Sequence, residues 1–125
     1  MKRIFCTLFL IIFSTISYSQ KKLCSDFKTG KFEYTNPKFS EWKVTRTDST
    51  QTEISSINGM ELKAAIIWKS DCEYVLTYEK TTNLDLKDLI GKKVFVEIFE
   101  IENIKFKYHS KLDDMELTTE MIKVD

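Results

Sequence analysis

From Leu23 onward the dominant spacing of apolar residues is two, the period of a half-buried strand, and not the 3.6 of a helix. Between Glu61 and Lys69, Leu62, Ala64, Ile66 and Trp68 take one face, while Lys63 and Lys69 take the other. From Ile104 to His109 the alternation is cleaner, with Ile104, Phe106 and Tyr108 opposed to Lys105, Lys107 and His109. Each segment reads as a strand with one face in a core and one in water.

The same test predicts further strands over Phe27 to Tyr34, Trp42 to Thr47, Gln51 to Ile57, Cys72 to Lys80, Lys92 to Ile101 and Met115 to Val124. Gly30 inside the first of these predicts a bulge. Asp48-Ser49 and Asn58-Gly59 supply hairpin turns, with others at Lys69-Ser70-Asp71, Asn103 and Asp113-Asp114. Lys92 to Ile101 is apolar on both faces, through Val94, Val96 and Ile98 and through Phe95, Phe99 and Ile101, which predicts a strand covered on both sides. Only Leu84 to Ile90 has helical potential, with Asn83 as N-cap and Gly91 as the stop.

About eight short strands with tight turns make an all-β, antiparallel meander. Such a sheet hides its edges by closing into a small barrel or by flattening into a sandwich. The inward rows predict a core that includes Phe32, Tyr34, Trp42, Ile66, Trp68, Tyr74, Leu76, Phe106 and Leu117.

The N-terminus reads as an address. Met1-Lys2-Arg3 is a cationic start, the run Ile4 to Ile16 is almost wholly apolar, and Ser17-Tyr18-Ser19 is a small-residue frame. That run is shorter than the roughly 20 residues a membrane-spanning helix needs. It predicts a signal peptide over residues 1–19, with an uncleaved anchor as the alternative, and a single β domain over 20–125, periplasmic or secreted. Removing Lys2 and Arg3 from a chain with 19 basic and 19 acidic residues leaves 17 against 19, a mildly acidic domain.

Cys6 falls within the predicted signal, so Cys24 and Cys72 remain. An even count in an exported domain points to a disulfide, worth about 4 kcal/mol by ring closure, with two free thiols as the other reading. Without a CxxC and with His109 as the only histidine, no metal or other cofactor is indicated.

Signatures of nucleophilic, nucleotide-binding or metal-dependent catalysis are absent from the sequence. His109 falls on a polar strand face with no acid or nucleophile tied to it by spacing, the pattern of a solvated surface histidine. The informative constellation is Arg46, Gln51 and Glu53. If Asp48-Ser49 is a two-residue turn, Arg46 lies across from Gln51 and diagonal to Glu53, on one face with Trp42. This group either orients a polar ligand near a barrel mouth, with the apolar part of the ligand between Trp68 and Tyr74, or is an Arg–Glu pair that fastens the hairpin. In Lys105-Phe106-Lys107-Tyr108 the period puts lysines and aromatics on opposite faces, and the net charge offers no electrostatic funnel, so no nucleic-acid partner is expected.

The segments Cys24-Ser25-Asp26-Phe27-Lys28-Thr29-Gly30-Lys31-Phe32, Arg46-Thr47-Asp48-Ser49-Thr50-Gln51-Thr52-Glu53 and Ile67-Trp68-Lys69-Ser70-Asp71-Cys72-Glu73-Tyr74 resemble the signature of a family of small exported proteins of Bacteroidetes with no established activity. Some members bear the name DNA topoisomerase IV, which does not fit an exported domain without an ATP-binding signature. Many look like lipoproteins, whereas Cys24 here follows Lys21-Lys22-Leu23 and lacks the small residue a lipid-attachment site requires. The strand count also resembles lipocalin-like barrels, with Gly30-Lys31-Phe32 standing where those have Gly-x-Trp.

These features together predict an exported, non-enzymatic β domain that binds a small amphipathic ligand in its interior. The alternative is a cell-envelope interaction module that docks a partner through the apolar strand Lys92 to Ile101 or a sheet edge.

Overall fold

A computed structural model describes residues 23–125; the predicted signal segment and Cys6 lie outside the described residues. Eight antiparallel strands follow one another: β1 (Gly30–Tyr34), β2 (Trp42–Arg46), β3 (Thr50–Ser55), β4 (Glu61–Trp68), β5 (Glu73–Thr81), β6 (Lys93–Glu102), β7 (Lys105–Leu112) and β8 (Met115–Lys123). Each pairs with the next. β1 also pairs with β8, with Phe32 opposite Lys123 and Tyr34 opposite Met121, and this closes the sheet into a barrel. Closure gives every strand two partners and leaves no free edge among them.

Local turn chemistry sets the registers. Thr47 N donates to Thr50 O at 2.9 Å around Asp48-Ser49, which puts Arg46 opposite Gln51. Asn103 and Asp113 open the β6–β7 and β7–β8 turns with φ of 55° and 53°, the left-handed conformation that tight hairpins require. The register slips once between β4 and β5, where Glu79 of β5 is skipped opposite Lys63/Ala64, and once between β6 and β7, where Phe99 of β6 is skipped between Ile98 and Glu100. Such bulges bend a strand and help a sheet to curl.

Five expectations are corrected. Phe27 is not in a strand: it ends a 3₁₀ turn, Cys24–Phe27, that carries its ring into the barrel, where it is 1% exposed. Gly30 is therefore the corner that begins β1, at φ 128°, where a Cβ would lie 2.8 Å from Lys123 Cε. β6 is not covered on both sides, since Phe95 and Phe99 point outward and are 57% and 45% exposed. A closed barrel has only one inside, and among the described residues no second layer packs over this strand from without. Leu117 is half-exposed near the start of β8, and Ile104 sits in the β6–β7 turn instead of in β7.

Residues Leu84–Leu89 form a 3₁₀ turn, capped by Asn83 Oδ1 accepting from Asp85 N at 3.0 Å. Cys24 and Cys72 are disulfide-bonded and tie the first 3₁₀ turn to the β4–β5 connection. The core holds Phe27, Phe32, Val44, Ile66, Phe106 and Met121, among others. Among the described residues no helix is long and apolar enough to cross a membrane.

Candidate functional site

The two ends of the barrel are built differently. At the end that receives the 3₁₀ turn Cys24–Phe27, the Phe27 ring lies 4.7 Å from Phe106 and 6.5 Å from Phe32, forming a plug. Arg46, at the close of β2, lies against this plug and is 2% exposed. Its Nη1 donates to Phe27 O at 2.7 Å, its Nε to Gln51 Oε1 at 3.0 Å and its Nη2 to the Tyr74 hydroxyl at 3.0 Å. The guanidinium faces the Phe32 and Tyr74 rings, 4.8 Å from each centroid. A buried cation is costly unless its donors are satisfied, and here three neutral acceptors and two ring faces serve it.

Above this floor a cavity of about 290 Å³ extends toward the other end. That volume is at the lower end of the roughly 300–1,000 Å³ usual for small-molecule sites. Leu62, Leu76, Val94, Val96 and Met121 give it apolar walls. Its rim is completed by Phe39, from the 3₁₀ turn Pro37–Phe39, and by Leu86 and Leu89, from Leu84–Leu89. The Tyr34 and Phe39 rings are 5.7 Å apart, so the first rim turn packs on β1.

The polar lining converges on Glu53. The Tyr34 hydroxyl donates to Glu53 Oε1, and Tyr74, Tyr78 and Tyr108 share the cavity with it. Burial pushes the Glu53 carboxyl above its ordinary value, against the opposing pulls of the Tyr34 hydrogen bond and the Arg46 charge. Burial likewise raises the phenols of Tyr34, Tyr74, Tyr78 and Tyr108, and the nearby Glu53 charge adds to each. The four rings therefore remain neutral hydrogen-bonding groups. Tyr74 spends a lone pair on Arg46 and keeps its proton to donate, and Gln51 keeps its amide NH2. Thr119, 7% exposed, lines the same cavity beside Tyr108, and its Oγ1 lacks a partner of hydrogen-bonding geometry.

Of the residues that the sequence singled out, Trp42, Gln51, Glu53 and Tyr74 line the cavity. Arg46 lies beneath it, with Gln51 and Tyr74 between. The Arg–Glu fastening is replaced: Arg46 turns to Gln51, Phe27 and Tyr74, while Glu53 takes its hydrogen bond from Tyr34. Trp68 is outside the cavity lining. Its ring touches Tyr74 at a centroid distance of 4.6 Å, so no gap lies between these two for a ligand, and Lys28 Nζ lies 5.2 Å over it. Tyr34, Tyr78 and Tyr108 went unremarked as site residues, although each falls in an inward row by simple parity with Phe32, Leu76 and Phe106. Phe39, Leu86 and Leu89 gave no such signal, because they lie in irregular turns.

Elsewhere, a more open groove of about 690 Å³ crosses β5 to β8 mostly among outward side chains, and it contains His109, Glu97 and Glu73. His109 lies opposite Glu97 in register, but its Nδ1 pairs with Thr118 Oγ1 at 2.9 Å and its ring stacks on Phe99 at 4.1 Å. The interior cavity is the stronger candidate, since its polar groups are buried or half-buried and unevenly satisfied, whereas His109, Glu97 and Glu73 in the groove are exposed at the surface. Among the described residues no cluster of three or more His, Cys, Asp or Glu could hold a metal. Comparison with protein-family models, curated proteins and solved structures finds no match to this chain.

Proposed function

We propose that this protein is an exported, non-enzymatic barrel that holds a small amphipathic ligand in its interior. The observation that carries the reading is the cavity above Arg46, apolar along Leu62, Leu76 and Val94 and polar at Glu53, Gln51 and the tyrosines. A site of this composition orients one polar end and buries the rest. The Cys24–Cys72 bridge is compatible with export, because disulfides persist in oxidising compartments. Titration with the neutral dye N-phenyl-1-naphthylamine tests the reading. Saturable one-to-one binding is expected in the wild type and its loss in Leu76→Trp, which fills the cavity; absence of saturable binding in the folded wild type would refute it.

The exposed rings of Phe95 and Phe99 on β6 favour a second reading, docking of an envelope partner on this outer face. Its sheet-edge form has no free edge among the described strands to use. On this reading, Phe95→Ser combined with Phe99→Ser abolishes cross-links to an envelope protein and leaves dye binding unchanged.

A further inference from the structure

Among the described residues that line the cavity, Glu53 is the one with a carboxylate, and no Lys or Arg is in the lining. Arg46, the cation beneath, has Nε, Nη1 and Nη2 engaged and lies 4.8 Å from the centroids of the Phe32 and Tyr74 rings. An anionic ligand would thus meet Glu53 without reaching a cation. A cationic ligand meets the reverse: Tyr34 occupies Oε1 of Glu53, and a carboxylate retains further acceptor sites on its second oxygen. The surrounding walls are aromatic, with Tyr34, Trp42, Tyr78 and Tyr108 in the lining, and aromatic faces attract an ammonium most strongly where water is excluded.

Resting on the reading of the cavity as a small-ligand site, we propose that its occupant is an amphipathic amine, with the ammonium on Glu53 among the tyrosine rings and the apolar body against Leu62, Leu76 and Val94. Burial disfavours the ionised form of Glu53 in the empty barrel, and a bound ammonium restores it. The tyrosine hydroxyls and the Gln51 amide complete the hydrogen bonding around the pair. Charge-assisted hydrogen bonds are roughly twice as strong as neutral ones, so the ligand's charge should decide affinity more than its shape does.

Calorimetric titration with 2-phenylethylamine, 2-phenylethanol and phenylacetate, which share one ring and differ in the charge of the head group, tests this. The amine is expected to bind the wild type about tenfold or more tightly than the alcohol, with the carboxylate weakest. Glu53→Gln should erase the preference for the amine while leaving the alcohol within about threefold of its wild-type affinity. The wild-type ranking alone decides the matter if the variant does not fold. Alcohol or carboxylate binding as tightly as the amine would overturn the amine assignment and leave the small-ligand reading standing. Failure of all three to bind would overturn the assignment as well, with the dye titration judging the broader reading separately.

Discussion

Arg46 Nη1 donates to the main-chain oxygen of Phe27 at 2.7 Å, so a cation carried by β2 holds down the plug that closes the barrel. The same side chain satisfies Gln51 and Tyr74, two residues of the cavity floor. Arg46→Ala should therefore destabilise the protein by about 3 kcal/mol or more, from unpaired buried acceptors and an unfilled volume. Arg46→Lys should recover less than half of this, because a single ammonium cannot reach three divergent acceptors and stack on two rings. Urea denaturation of the variants measures both; a loss below about 1 kcal/mol for Arg46→Ala would show that the floor does not depend on this residue.

Glu53 has the opposite relation to stability. Its folded-state pKa is raised, so the native state holds this proton more tightly than the unfolded chain does. The stability linked to it is fully present below its ordinary value of 4.5 and is lost as pH rises through the folded-state value. Glu53→Gln keeps an acceptor for Tyr34 and removes the ionisation. The variant should melt a few degrees above the wild type at about pH 8, with the difference vanishing near about pH 4. Thermal melts across this range check it, and a variant less stable than the wild type at the higher pH contradicts the assignment. Retaining an acid that weakens the empty barrel is what a binding residue would entail.

The bridge between Cys24 and Cys72 spans 48 positions and anchors the 3₁₀ turn that ends in Phe27. Replacing both cysteines by Ser should cost about 4 kcal/mol by ring-closure entropy. Loss of the plug should follow before the strands separate, because the main-chain bond Val124 N to Lys31 O and the β1–β8 ladder hold the barrel independently of the bridge. Hydrogen exchange would show early loss of protection at residues 24–28; simultaneous exchange of plug and strands would rule out this order.

Much of the site was legible in the alternation of residues, because a strand's facing depends only on parity. Arg46, Gln51 and Glu53 share the inner face with Trp42 for that reason, and Asp48-Ser49 aligned the first two. Parity does not say whether an outer face will be covered. Phe95 and Phe99 read as buried because they are apolar, yet a closed barrel places a second layer over neither. Nor does parity give height along the barrel axis, and this is why the sequence puts Arg46 near a mouth and Trp68 beside a ligand, whereas both lie toward the plugged end.

The chain's own pattern determined strands and turns, the inward rows and the pairing of the two cysteines that follow the predicted signal, since these depend on local spacing, turn chemistry and a count. Tertiary structure alone decided that β1 would meet β8, that Phe27 would leave its expected strand to plug one end, and that Glu53 would be bonded by Tyr34, 19 positions away, instead of by Arg46. Those outcomes depend on how far each strand is staggered when the sheet closes. Stagger is a property of the whole ring of eight strands, and no single segment encodes it.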